Sequence, residues 1–163
     1  MNVANGSQYV PVSALWLWLF PITYVIHIAE EYWGGEGYPA YLFRLRGVQL
    51  SPTRFLIFQL FGVVLIVVGV VASQQFRFPR FMLCLLGALV LFNGITHTVT
   101  AIRHGGYGPG LVSCVLIWIP LGLVTLFLLY GQMTTVRFVK AVAIGFAINA
   151  LVALIALRGG RLV

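Results

Sequence analysis

Apolar runs of about 20 residues, the length at which a helix crosses the hydrocarbon core of a bilayer, recur along the chain with short polar links between them. They fall at 13–33, 53–73, 79–103, 110–130 and 136–157. Pro11 opens the first run and Pro21 predicts a kink inside it. Ser51-Pro52 precedes the second run, and Pro120 lies within the fourth. The links from the second run onward are short, so those neighbours are expected to be antiparallel. The 34–52 link is longer and carries Tyr38, Tyr41, Phe43, Arg44 and Arg46, a composition that favours the membrane interface. Small residues spaced by four, Ala141/Gly145 and Ala143/Ala147, and the pairs Gly62/Gly69 and Gly87/Gly94, predict helix-packing faces. Such faces suit a homo-oligomer as well as internal contacts. The pattern predicts an all-α membrane protein, one domain over residues 1–163 built as a bundle of about five transmembrane helices.

Composition agrees: 61% of the 163 residues are apolar and 8% charged, against about 25% charged in soluble domains. A water-soluble globule, a disordered chain and a disulfide scaffold are excluded. The formal charge is +7, from 10 basic residues and 3 acids. The basic residues sit in ones and twos between apolar blocks, as beside an anionic bilayer, and do not gather into a nucleic-acid-binding face. Arg77, Arg80, Arg137 and Lys140 fall on one face of the bundle, and Arg44, Arg46, Arg54, Arg103, Arg158 and Arg161 on the other. Positive-inside asymmetry then places the C-terminus in the cytoplasm of a bacterial inner membrane, by a narrow margin. Cys84 and Cys114 fall toward opposite faces, too far apart to bridge, and read as packing residues. No cleavable signal pattern is expected, because no basic segment precedes the first apolar run and that run ends in charged residues.

The three acids are concentrated at Glu30, Glu31 and Glu36, and there is no Asp. His27, Glu30 and Glu31 are spaced i, i+3 and i+4, which puts them toward one face of the first helix, with Thr23 and Tyr24 a turn earlier. Asn93, Thr96, His97 and Thr100 form a second stripe on the third run, and His104 extends it beyond the helix end. His27 lies six residues before Trp33 and His97 six before Arg103, so each is about 9 Å from the same end of the bundle. Gln59 and Ser113 enter at a similar depth from the second and fourth runs, whereas the opposite half is almost wholly Leu, Val, Ile and Phe.

Ionisable groups inside hydrocarbon cost about 2.5–3.5 kcal/mol each on insertion scales, so this layer needs partners and reads as a functional site. The sequence here resembles the HxxEE family of small bacterial membrane proteins. The motif is His27, Glu30 and Glu31, followed in order by an N-x-x-x-H pair, Asn93 and His97, and a Y-x-P-G turn, Tyr107, Pro109 and Gly110. The resemblance implies that these residues form one site and supplies no reaction.

Imidazole and carboxylate together suit zinc or non-haem iron, with His27, Glu31 and His97 as ligands. The spacing is neither H-E-x-x-H nor H-x-x-E-H, and three acids are too few for a di-iron site within one protomer. A metal-free alternative uses a desolvated Glu30 or Glu31 as acid or base, with His97 as partner, Asn93 orienting substrate and Tyr107 donating a proton or hydrogen bond at the mouth. A structural alternative pairs Glu30 or Glu31 with Arg54 or Arg103. Four glycines around Tyr107 in 104–110 are explained by a tight turn, and Trp16, Trp18, Trp33 and Trp118 by belts or packing; Asn149 reads as interhelical glue. The expected function is a small integral-membrane enzyme acting on a lipid-soluble substrate. A proton- or metal-coupled transporter and a structural membrane partner are the alternatives; no inverted repeat supports transport.

Overall fold

A chain this apolar can satisfy its backbone hydrogen bonds inside a bilayer only within each segment, and helices do that. The computed structural model describes residues 13–158, and every regular element among them is a helix. These are α1 (Ala14–Trp33), α2 (Tyr38–Arg46), α3 (Pro52–Gln75), α4 (Pro79–Arg103), α5 (Leu111–Leu129) and α6 (Thr135–Leu157). Pro11 and Arg161, used above, lie outside the described residues.

Four helices, α3 to α6, are long and apolar enough to cross a membrane, which makes the chain an integral membrane protein. The first of the five expected runs is also a continuous helix, 20 residues long and passing through Pro21. Its last two turns carry His27, Glu30 and Glu31, and that polar load separates α1 from the four. Leu60, Val64, Val68 and Val71 of α3 stand exposed along one side. Exposed in water, such a stripe would be an aggregation surface; facing acyl chains it carries no penalty.

The helix starts follow local chemistry. Ser13, Ser51 and Thr134 cap α1, α3 and α6 by accepting from the N–H three residues on, and Pro52 and Pro79 occupy the first position of α3 and α4, where no N–H is needed. The 34–52 link contains a helix that the sequence pattern did not predict. α2 is only nine residues long, bounded by left-handed Gly47 and by Gly37 at φ 76°. Its Tyr41 and Leu42 are buried while Phe43, Arg44 and Arg46 are exposed, the division expected of an interfacial helix.

α4 is the central helix and packs against both α5 and α6, while α1 packs on α3. The small residues make this possible: a Cβ on Gly145 of α6 would sit 2.6 Å from the Leu85 carbonyl oxygen of α4. Of the expected small-residue faces, Ala141/Gly145 is buried at this crossing, whereas Ala143 and Ala147 are exposed. Leu17, Phe20, Leu83, Leu86, Val90 and Trp118 form the apolar core. α3 and α6 do not pack closely on each other.

α5 is not a uniform helix. Cys114–Trp118 is a π-helical turn placed just before Pro120, which has no N–H and whose ring would crowd the carbonyl four residues back. Widening the turn relieves that conflict, and such bulges are frequent beside functional sites.

Candidate functional site

The depth matching holds in three dimensions. α1 supplies His27 and Glu31, α3 supplies Gln59, α4 supplies His97 and α5 supplies Ser113 and Cys114, all at one end of the bundle. His27 and Glu31 are 1% and 4% exposed, so the carboxylate is removed from solvent. Glu31 Oε1 lies 3.6 Å from His27 Nε2 and 3.5 Å from His97 Nε2. The two imidazoles meet edge to face with ring centres 5.1 Å apart.

Hydrogen bonds around this triangle set its polarity. Ser113 Oγ donates to the Gly110 carbonyl at 3.1 Å, which leaves it to accept from His27 Nδ1–H at 2.8 Å. His27 therefore turns an unprotonated Nε2 toward Glu31. On the other side, Tyr24 donates to Gln59 Oε1 at 2.6 Å, and the Gln59 amide donates to Glu31 Oε2. This leaves Glu31 Oε1 facing the histidines. An imidazole nitrogen and a carboxylate oxygen thus converge at distances well beyond the about 2.7–2.9 Å of a charge-assisted hydrogen bond. Ligand atoms about 2.0–2.1 Å from a tetrahedral zinc lie about 3.3 Å apart, close to the separations found here. Glu31 Oε1 thus stands at ligand-like spacing from each imidazole, with Ser113 holding His27 and Gln59 holding Glu31.

Among the described residues, the group of three with ligand atoms all close to one another contains Cys114 in place of Glu31. His27, His97 and Cys114 each present a ligand atom within 4.8 Å of the others. Cys114 Sγ lies 3.8 Å from His27 Nδ1, on the side of the ring away from Glu31. Trp118 packs on His27 with ring centres 3.8 Å apart and closes the apolar floor.

Glu30 does different work from Glu31. Neighbours on a helix diverge by about 100°, and Glu30 turns toward the start of α5. There its Oε1 accepts from the Val112 N–H at 2.8 Å and the Tyr107 hydroxyl at 3.0 Å, and its Oε2 accepts from the Ser113 N–H at 2.7 Å. These are first-turn amides of a helix whose own cap residue, Gly110, has no side chain to offer. A carboxylate from α1 thus caps α5 in trans, which also suits the helix dipole. Burial, and then the Glu30 carboxylate, push the Tyr107 phenol up to about 12, so it stays a donor to Glu30 across the neutral range. Glu30→Gln keeps the shape but sets an amide N–H against one of these donors. A loss of about 1–3 kcal/mol is expected, seen as a lower thermal midpoint in detergent. An unchanged midpoint would remove the clamp from Glu30.

Asn93 and the space beside the histidines belong together. A cavity of about 80 Å³ runs between α3 and α6, lined by Tyr24, Gln59, Asn93, His97, Asn149 and Val152 among others. Asn93 Oδ1 is buried there without a hydrogen-bond partner. A second cavity of about 170 Å³, under α2, shares Tyr38, Thr96, His97 and Ala153 with the first and has Arg46 on its wall.

Of the sequence-selected residues, His27, Glu31, His97, Gln59 and Ser113 meet, Asn93 lines the adjoining cavity, and Glu30 and Tyr107 pair with each other. His104 is exposed at the end of α4, away from the cluster. Arg54 and Arg103 make no ion pair with Glu30 or Glu31; among the described residues the only arginine–carboxylate bridge is Arg44–Glu36, at 2.7 Å. Cys114 and Trp118, read as packing, border the site, and so does Asn149. For Asn149 a signal existed, since it is the one amide of the last span and lies at the depth of the polar layer.

The family model described as "Protein of unknown function with HXXEE motif" matches residues 18–125, a stretch that contains every member of the cluster. Neither the curated proteins nor the solved structures contain a match to this chain.

Proposed function

Taking as premise that the chain belongs to the HXXEE-motif family of unknown function, we propose that it is a small metal-dependent membrane enzyme acting on a lipid-soluble substrate. The observation that carries the reading is the buried Glu31 carboxylate, with Oε1 turned to two histidine nitrogens at 3.5 and 3.6 Å and, among the described residues, no lysine or arginine bridging to it. A divalent cation held by His27, His97 and Glu31 supplies the missing positive charge, and zinc or iron suits this donor set. When bound, such an ion polarises a substrate or water oxygen.

The chain's own residues account for the rest. The gap between α3 and α6 gives a lateral entrance from the acyl region to His97. Asn93, with an unused acceptor, orients a donor on the substrate, while Gln59, Tyr24 and Ser113 hold the ligands in register. Glu30 and Tyr107 keep the start of α5 against α1, so that Ser113 stays on His27. The opposite half of the described helices is packed largely with apolar side chains, Leu17, Phe20, Leu83 and Leu86 among them, which favours an enzyme over a transporter in this reading. In this reading α1 is a fifth span, the membrane is a bacterial inner membrane and the C-terminus is cytoplasmic.

Elemental analysis of protein purified in detergent without chelator tests the proposal. About one zinc or iron per chain is expected, removable by a chelator and restored on adding the metal. Protein that holds no divalent metal and takes none up would overturn it.

A further inference from the structure

The face opposite the site holds a second polar feature, built from the two short connections there. The residues joining α3 to α4 and α5 to α6 border a cavity of about 580 Å³, onto which Arg77, Arg80 and Arg137 all open. Arg80 and His97 lie on the same helix, about 25 Å apart by helix rise. The cavity is therefore separate from the metal-type cluster.

Several observations point to an anion. All three acids of the chain, Glu30, Glu31 and Glu36, are at the other end of the bundle, and Lys140 adds a fourth cation one turn beyond Arg137. Arg77 is the one non-glycine residue with positive φ, 59°, among the described residues. A left-handed conformation is costly for a side chain with a Cβ, so placing arginine there needs a return. α4 also begins at this cavity, with Phe78 as its cap residue and no side-chain cap for its first turn. The guanidinium groups of Arg77 in the α3–α4 connection and Arg137 in the first turn of α6, beside an uncapped helix start, match a tetrahedral oxyanion with several acceptor oxygens. The feature sits at the ends of four spans, which is headgroup depth in a bilayer.

We propose that this cavity binds a phosphate group, carried by an anionic phospholipid headgroup or present as free inorganic phosphate. Phe78, Phe81 and Met133 on its wall give an apolar flank that a lipid glycerol and acyl root can use and free phosphate cannot.

Native mass spectrometry of the whole chain released from detergent, titrated with phosphatidylglycerol, phosphatidylcholine or inorganic phosphate, tests this. Phosphatidylglycerol is expected to be retained in preference to phosphatidylcholine. The Arg77→Gln/Arg137→Gln double variant is expected to lose about fivefold in affinity per arginine removed. If inorganic phosphate binds alone and displaces the lipid, the ligand is free phosphate; if it does neither, the ligand is the lipid headgroup. Equal retention of the two lipids by the wild-type protein, with no phosphate binding, overturns the proposal, and this arm does not depend on the variant folding. Unchanged phosphatidylglycerol affinity in a folded double variant overturns it equally.

Discussion

Glu31→Gln is expected to abolish metal binding and, in the metal-free protein, to leave the fold as stable as the wild type or more so. The two effects separate because the amide keeps the volume of the carboxylate and its contact with Gln59 while deleting the charge. A buried carboxylate with no lysine or arginine beside it among the described residues is a liability to the apoprotein, and replacing it by a neutral group of the same shape relieves that penalty. With metal present the sign reverses. A ligand at 100 times its dissociation constant stabilises the native state by about 2.7 kcal/mol. The wild type should therefore show a large rise in thermal midpoint on adding zinc or iron, and Glu31→Gln almost none. His97→Ala should lose the same metal-dependent rise, because His97 Nε2 is as near to Glu31 Oε1 as His27 Nε2 is. Measuring midpoints with and without metal decides the matter. A Glu31→Gln protein that keeps the metal-induced shift would sink the ligand assignment. A variant that loses stability in the absence of metal would show that the carboxylate holds the bundle together by itself.

That these side chains meet was legible because membrane helices obey simple arithmetic. Counting from the span ends placed His27 and His97 at one depth, and Gln59 and Ser113 fell into the same layer. What the arithmetic could not resolve was direction about the helix axis. His27, Glu30 and Glu31 share a broad face, yet a difference of about 100° sends Glu31 inward and Glu30 to the start of α5. Which glutamate does which depends on where α5 begins, and that is a tertiary fact. The role of Trp118 was hidden for a related reason. The π turn at Cys114–Trp118 shifts the register of α5 and brings the indole onto His27, and a uniform 3.6-residue period does not anticipate it. α2 escaped detection because its nine residues are stabilised by burying Tyr41 and Leu42 against the bundle more than by any periodic pattern of their own. The span count differs for a reason of composition: the residues that build the site are the ones that make α1 less apolar than its neighbours.

The tight turn 104–110 looked in sequence like a link rich in glycine, and for Gly105 that description is sufficient. Gly105 has φ 69° and nothing within 4 Å of the position a Cβ would take. Gly110 differs. Its φ is 88°, and a Cβ there would lie 2.6 Å from His27 Cε1, 3.0 Å from Glu31 Cγ and 3.1 Å from His97 Cε1. Its backbone is the lid on the cluster, and only the lack of a side chain lets it approach. The atoms in the way cannot easily yield: His27 is packed on Trp118 and bonded to Ser113, and Glu31 is held by Gln59. Gly110→Ala and Gly105→Ala carry similar left-handed strain, about 1–2 kcal/mol, but only the first crowds the ligands. Gly105→Ala is therefore expected to lower the thermal midpoint slightly and to bind metal as the wild type does. Gly110→Ala is expected to bind metal about 100-fold more weakly, the scale seen when the partners that orient ligands are disturbed, and to lose a further 1–3 kcal/mol or so from overpacking. Metal titrations on the two variants, set beside their midpoints without metal, divide backbone strain from site geometry. Equal metal affinity in the two would mean that the turn closes the bundle without shaping the site, and the cluster would then owe its geometry to α1, α3 and α4 alone.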